Sequence, residues 1–207
     1  DRNDVIKVDN LKNDIFFKDV SFSYDDNLSI FRNLSFNLKR DSFIGIVGKT
    51  GVGKTTLIKA LLTMYPNYKF YDEVVRKLSK ASKLPINEHA EDYDATQTII
   101  TNAHLTNAAE SAYVHSDAFF DRCIIDSDSY GKYLYQKNKM SPEAFRYTEM
   151  VLLLIFNYFP YEAVIYIPPK LDLVEDGVRD TNYDFQSAVD SVIAQNVEVL
   201  SHQYDKV

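Results

Sequence analysis

The chain has 207 residues, 45% hydrophobic and 26% charged, which is enough to bury one full core and too apolar for a disordered chain. Its formal net charge of -7 argues against a general nucleic-acid-binding surface and for a small anionic ligand held locally. A lone cysteine, Cys123, excludes an internal disulfide, and no apolar run reaches the ~20 residues that span a bilayer, so a cytoplasmic protein is expected.

The first fourteen residues are polar and read as a frayed leader. From Ile15, "IFFKDVSFSY" and "IFRNLSFNL" alternate apolar and polar residues across the turn-rich "DDNLS". They predict two antiparallel strands feeding a third, "FIGIVG", which ends at Gly48. The helix after it carries Leu57, Ile58, Leu61 and Leu62 on one face and stops near "YPNY". A short strand "KFYD", a polar helix through "EVVRKLSKASK" and a loop around Pro85 follow, and then a long helix, "DATQTIITNAHLTNAAESAYVH", free of glycine and proline.

"RCIIDSD" is expected to be a buried strand ending in carboxylates. Two helices come next, from about Tyr130 and from Ser141, the second capped by Ser-Pro-Glu-Ala. "EAVIYI" is a buried strand, "PPKLDLVEDGVRDTN" a charged loop, "YDFQSAVDSVIAQN" a helix and "VEVL" a last short strand. Short apolar strands alternating with helices predict an α/β three-layer sandwich, its sheet mostly parallel, with an amino-terminal antiparallel β extension. The expected division is an extension at 1–42 and a core at 43–207, with a lid at 169–182.

"GKTGVGKT", Gly48 to Thr55, fits G-x-x-x-x-G-K-S/T without a gap, with a strand before it and a helix after it. Gly48, Gly51 and Gly53 let the backbone turn so that the N–H groups of Gly48, Lys49, Thr50, Gly51, Val52, Gly53, Lys54, Thr55 and Thr56 surround a phosphate at a helix N-terminus. Lys54 would reach the β- and γ-phosphates, and the Thr55 hydroxyl would hold Mg²⁺. The bland reading, an accidental glycine turn, fails on this context.

The first 62 residues resemble the start of an ATP-binding-cassette ATPase, in which two strands precede the P-loop and an aromatic residue, here Tyr24, stacks on adenine. The later cassette elements do not follow. "SAYVHSDAFFDR" stands where the signature would be, and "DSDS" replaces the Asp-Glu pair. His202, in "VEVLSHQ", lies too far past Asp126 to be a cassette switch and reads as a surface histidine.

From Phe43 onward the chain resembles small P-loop kinases of the ribosylnicotinamide-kinase type and related AAA-domain proteins, through "YDEVVRKL", "IIDSDSYGKYLY" and "EDGVRDTN". That resemblance implies ATP and Mg²⁺ as cofactors and a lid arginine, Arg179, that swings over the γ-phosphate about a Gly177 hinge; the bland alternative is a charged surface loop. The residues supply the remaining parts. Asp126, or else Asp128, ends the third strand beside the P-loop, where a carboxylate can hold a water of the Mg²⁺ shell. Glu73, or else Asp72, would orient or deprotonate an acceptor hydroxyl, with Arg76 gripping the acceptor, against a plain solvated helix start.

Arg122 precedes that strand and reads as a salt-bridge partner; Phe119, Phe120, Tyr130 and Tyr133 read first as core and second as acceptor walls. Cys123 reads as buried and inert, and His89, His104 and His115 lack metal-ligand spacing. The expected function is a Mg-ATP-dependent phosphotransferase acting on a nucleoside-like or ribosyl acceptor. The rivals are an ATPase switch module and a truncated or chimeric cassette ATPase. Nucleotide and a small acceptor are the expected partners, and the oligomeric state is left open.

Overall fold

The computed structural model describes residues 15–23, 29–38, 42–48, 52–82, 92–114, 117–168 and 183–204. Among them two sheets form. Strands β1 (Ile15–Ser23) and β2 (Ser29–Leu38) pair antiparallel, from Ile15 opposite Leu38 to Ser23 opposite Ser29, with three shifts of register between. This is the amino-terminal β extension the alternating pattern predicts.

The second sheet is parallel throughout: β4 (Lys69–Tyr71), β5 (Ala118–Asp121), β3 (Phe43–Val47) and β6 (Ala163–Tyr166), in that order across the sheet. The strands are short and apolar on both sides because both faces are covered. Ile44, Ile46 and Phe119 pack with Leu57, Ile58 and Leu61 of α1 (Lys54–Met64) on one face. Val47, Phe120 and Val164 pack on the other face with helices α3 (Tyr93–Val114), α4 (Ile124–Gln136), α5 (Pro142–Tyr158) and α6 (Tyr183–Tyr204). Fully burying each such side chain contributes about 1.5–3 kcal/mol. Helix α2 (Val74–Ser82) follows β4 and contacts α3. The expected three-layer α/β sandwich with a mostly parallel sheet is therefore the fold.

Three elements differ from expectation. The third core strand is "AFFD", Ala118–Asp121, and "CIIDSD" lies in the start of α4, which begins at Ile124 and not near Tyr130. The strand stops because Arg122 adopts φ 72, turning the chain, although its N–H still donates to the Ile46 carbonyl at 3.0 Å. Cys123 then sits at the N-cap, and the Asp126 carboxylate accepts from the Cys123 N–H at 3.1 Å, the back half of a capping box. The strand expected at "VEVL" is the end of α6, whose buried Val189, Val192, Ile193, Asn196 and Leu200 recur at helical spacing. Ser141 caps α5 as expected, accepting from the Ala144 N–H at 3.2 Å with Pro142 in the first turn.

Candidate functional site

The phosphate loop leaves β3 at Gly48, where φ is 138 and a Cβ would lie 2.5 Å from the Ile167 carbonyl oxygen. Gly53 follows at φ 95 as the left-handed N-cap of α1. An L side chain pays at both positions. Gly48→Ala is expected to destabilise the fold by about 2–4 kcal/mol, read as a lowered midpoint of thermal unfolding; an unchanged midpoint would contradict the close approach to Ile167.

Lys54 and Thr55 open α1, and Thr56 is its third residue. Lys54 is only 5% exposed, and its Nζ donates to the Gly48 carbonyl at 2.7 Å across the loop. Burial, then the Arg122 charge, lowers its pKa to about 8, against the opposing pull of Asp126, Asp121 and Glu73. Val52 is buried with Ile44, Ile46 and Leu57 and anchors the loop to the α1 face. Lys49, Thr50 and Gly51 lie outside the described residues, as do Tyr24, the 169–182 segment with Gly177 and Arg179, His89 and His115.

The carboxylate that ends the strand beside β3 is Asp121, not Asp126. Asp121 is buried, and the Thr55 hydroxyl donates to its Oδ2. That pairing follows from β5 lying next to β3 in register, with Ile46 opposite Asp121. A hydroxyl and a carboxylate side by side at a phosphate cradle are the hard oxygen donors that fit Mg²⁺ together with phosphate oxygens and water. No cluster of three or more His, Cys, Asp or Glu side chains able to hold a metal occurs among the described residues, so such an ion would depend on the nucleotide for its remaining ligands.

Around the next turn lies a chain of ion pairs. Arg122, buried at 6% exposure, donates from Nε to Glu73 Oε1 at 2.7 Å and from NH1 to Asp126 Oδ1 at 3.0 Å. Glu73 Oε2 accepts from Arg76 NH2 at 2.9 Å, and Arg76 NH1 pairs with Asp72 Oδ1 at 2.8 Å. The Arg122 guanidinium also lies 5.8 Å from the centre of the Tyr130 ring. Burial alone would raise Glu73, but Arg122, Lys54 and Arg76 outweigh it and hold the carboxyl below its usual range, ionised at neutral pH. Asp126 is raised by burial, with Arg122 and Lys54 opposing. Arg122 thus makes the expected salt bridges, although it follows its strand.

These groups wall a pocket of about 60 Å³ lined by Glu73, Val75, Gln97, Ile100, His104, Arg122, Asp126, Ser127 and Tyr130. Of its polar residues, Gln97 and Ser127 carry no signal in the sequence, and His104, weighed there only as a metal ligand, is assigned no role. Gln97, Ile100 and His104 share one face of α3 at i, i+3 and i+7, a spacing that would have shown the stripe but not what it faces. Gln97 Nε2 donates to the Ser127 carbonyl at 3.1 Å, which ties α3 to α4. Among the other candidates, Asp128 accepts from Asn196 of α6 at 2.8 Å, and burial raises it to about 6. Phe119, Phe120 and Cys123 are core, Tyr133 packs edge-on against Phe185, and His202 is exposed near the end of α6.

The geometry is that of a P-loop nucleotide-binding domain, and comparison with known proteins agrees. A family model described as an AAA domain matches residues 43–207. The chain belongs to this AAA domain family. In fold, the AAA domain is similar to the NadR protein solved in complex with NR, with a TM-score of 0.60 at 18% identity, covering 79% of this chain and 44% of that one. It is also similar to deoxyadenosine kinase from M. mycoides with bound dCTP, with a TM-score of 0.52 at 16% identity, covering 80% and 88%.

The cassette resemblance is met as well, over a shorter stretch of the AAA domain chain. The lacticin-481/lactococcin-DR transport/processing ATP-binding protein of Lactococcus lactis is 45% identical over 60 residues, 27% of this chain. A probable multidrug resistance ABC transporter ATP-binding/permease protein of Bacillus subtilis is 49% identical over 57 residues, 26% of this chain. The chain spans 9% of the length of each of these two relatives. None of the described helices is long and apolar enough to cross a membrane.

Proposed function

We propose that this AAA domain is a Mg-ATP-dependent phosphotransferase acting on a small nucleoside-like or ribosyl acceptor. The observation that carries this reading is the pocket between α2, α3 and α4, because its Glu73, Arg122 and Asp126 are the charges that Lys54 feels from the phosphate side. A pure ATPase needs only a place for water; the neutral and apolar wall of Tyr130, Ile100, Gln97 and His104 suits part of an organic acceptor.

In the proposed reaction the acceptor hydroxyl attacks the γ-phosphorus, the bond to the β–γ bridging oxygen breaks, ADP leaves, and the hydroxyl proton passes to Glu73. Such a transition state is loose, so positioning and charge neutralisation do most of the work. Lys54 would neutralise the β- and γ-phosphates, and Glu73, held by Arg122 and Arg76, would orient the hydroxyl. Thr55 and Asp121 would hold Mg²⁺, which supplies charge neutralisation on the phosphates when bound. Arg179 is retained as the lid candidate.

The test is ADP formation from ATP across a panel of nucleosides and ribosides. Turnover that depends on one of them supports the reading. Equal turnover without any acceptor supports the second reading, an ATPase switch or a chimeric cassette module. The separate β1–β2 sheet and the short matches to cassette proteins favour that alternative.

A further inference from the structure

The fixed charges of the pocket are already spent on one another. Arg122 engages both Glu73 and Asp126, and Glu73 is shared with Arg76. A charged acceptor group buried here would have to break one of these pairs, at the cost of leaving its partner uncompensated.

The capacity left for recognition is uncharged. His104 is 3% exposed and lines the cavity, and among the described residues it makes no hydrogen bond. A buried polar group left without a partner is costly, so one facing a cavity points to a ligand that completes it. Burial, then the charge of Arg122, lowers its pKa to about 3, so its ring is neutral at physiological pH and offers one donor and one acceptor. On the same face of α3, Gln97 gives its Nε2 to the Ser127 carbonyl and turns no positive charge into the pocket. Ile100 lies between them, and the Tyr130 ring and Val75 complete the apolar part of the wall.

We propose that His104 is a specificity-determining residue, which exchanges a hydrogen bond with an uncharged polar group on the acceptor and so selects neutral nucleosides over phosphorylated or otherwise ionised sugars. This rests on the phosphotransferase reading for the name of the acceptor, but its test is binding, not turnover.

The test is equilibrium binding of adenosine, guanosine, cytidine and thymidine, with ribose 5-phosphate as the charged competitor, to the whole chain with its phosphate loop filled by ADP and Mg²⁺. Wild type should bind at least one nucleoside more tightly than ribose 5-phosphate. His104→Phe, which keeps a ring and removes both nitrogens, should weaken that binding roughly tenfold to a hundredfold, and His104→Leu should do the same in a smaller side chain. His104→Gln should recover most of it, and ATP affinity should stay within about twofold in all three. A merely structural histidine would instead shift the unfolding midpoint in every variant without sorting acceptors. The inference is overturned if His104→Phe or His104→Leu binds the nucleoside as tightly as wild type, or if ribose 5-phosphate binds best. Nucleoside binding that depends on His104 but yields no ADP would count against phosphotransfer and leave this inference standing; no nucleoside binding at all would overturn this inference and leave phosphotransfer to the turnover assay.

Discussion

Glu73→Gln is expected to lower acceptor-dependent ADP formation by about 10²–10⁴-fold while leaving ATP affinity within about twofold. The amide keeps the size of the side chain and one hydrogen-bond acceptor, but it cannot take a proton and it loses the charge that pairs with Arg122 at 2.7 Å and Arg76 at 2.9 Å. Arg122 would then be left with Asp126. Because Glu73 is held ionised by those neighbours, it is a better orienter of a hydroxyl than a strong base, which suits a loose transition state. A loss confined to acceptor KM would assign Glu73 to binding alone, and an unchanged rate would remove it from the reaction.

The second large effect is at the phosphate end. Lys54→Ala is expected to weaken ATP binding by about 10²-fold or more, the scale of removing a buried charge-assisted partner. The pH dependence sharpens the test. Lys54 titrates at about 8 in the free protein, and a bound polyphosphate favours its charged form. Binding therefore takes up a proton above that point, so the wild-type Kd for ATP should be level below pH 8 and rise by up to about tenfold per unit above it. The variant should be level across the whole range. A wild-type Kd that stays flat to pH 9.5 would contradict the lowering of Lys54 to about 8.

What the sequence made legible was local. Gly48, Gly53, Lys54 and Thr55 act within eight residues of one another, so their spacing alone carries the turn, the helix start and the lysine that folds back on Gly48. Long helices α3 and α5 were equally plain, the first from an unbroken run without glycine or proline and the second from its Ser-Pro cap. The strand beside the P-loop was misplaced because "AFFD" and "CIID" are both short apolar runs ending in aspartate, and periodicity cannot separate a buried strand from a buried helix start at that length. The difference lies in the positive φ of Arg122 and in the Cys123–Asp126 capping box, neither of which a composition rule anticipates.

The pocket beside Glu73 was half legible for the same reason. Glu73 and Arg76 belong to one short motif, and their pairing is a helical i, i+3 contact. The partner that holds Glu73 from the other side, Arg122, arrives from 49 residues away, and Gln97 and His104 reach the cavity only because α3 packs against α4. No local pattern marks a residue whose role is made by tertiary packing.

The central claim is that phosphate leaves the P-loop nucleotide for an organic acceptor beside Glu73 and Arg122. Phosphorus NMR of the protein with ATP, Mg²⁺ and a nucleoside that it binds tests this most directly, since it names the phosphate's destination. The account predicts a phosphomonoester resonance growing in step with ADP. Inorganic phosphate growing in step with ADP, at the same rate with and without the nucleoside, would contradict it.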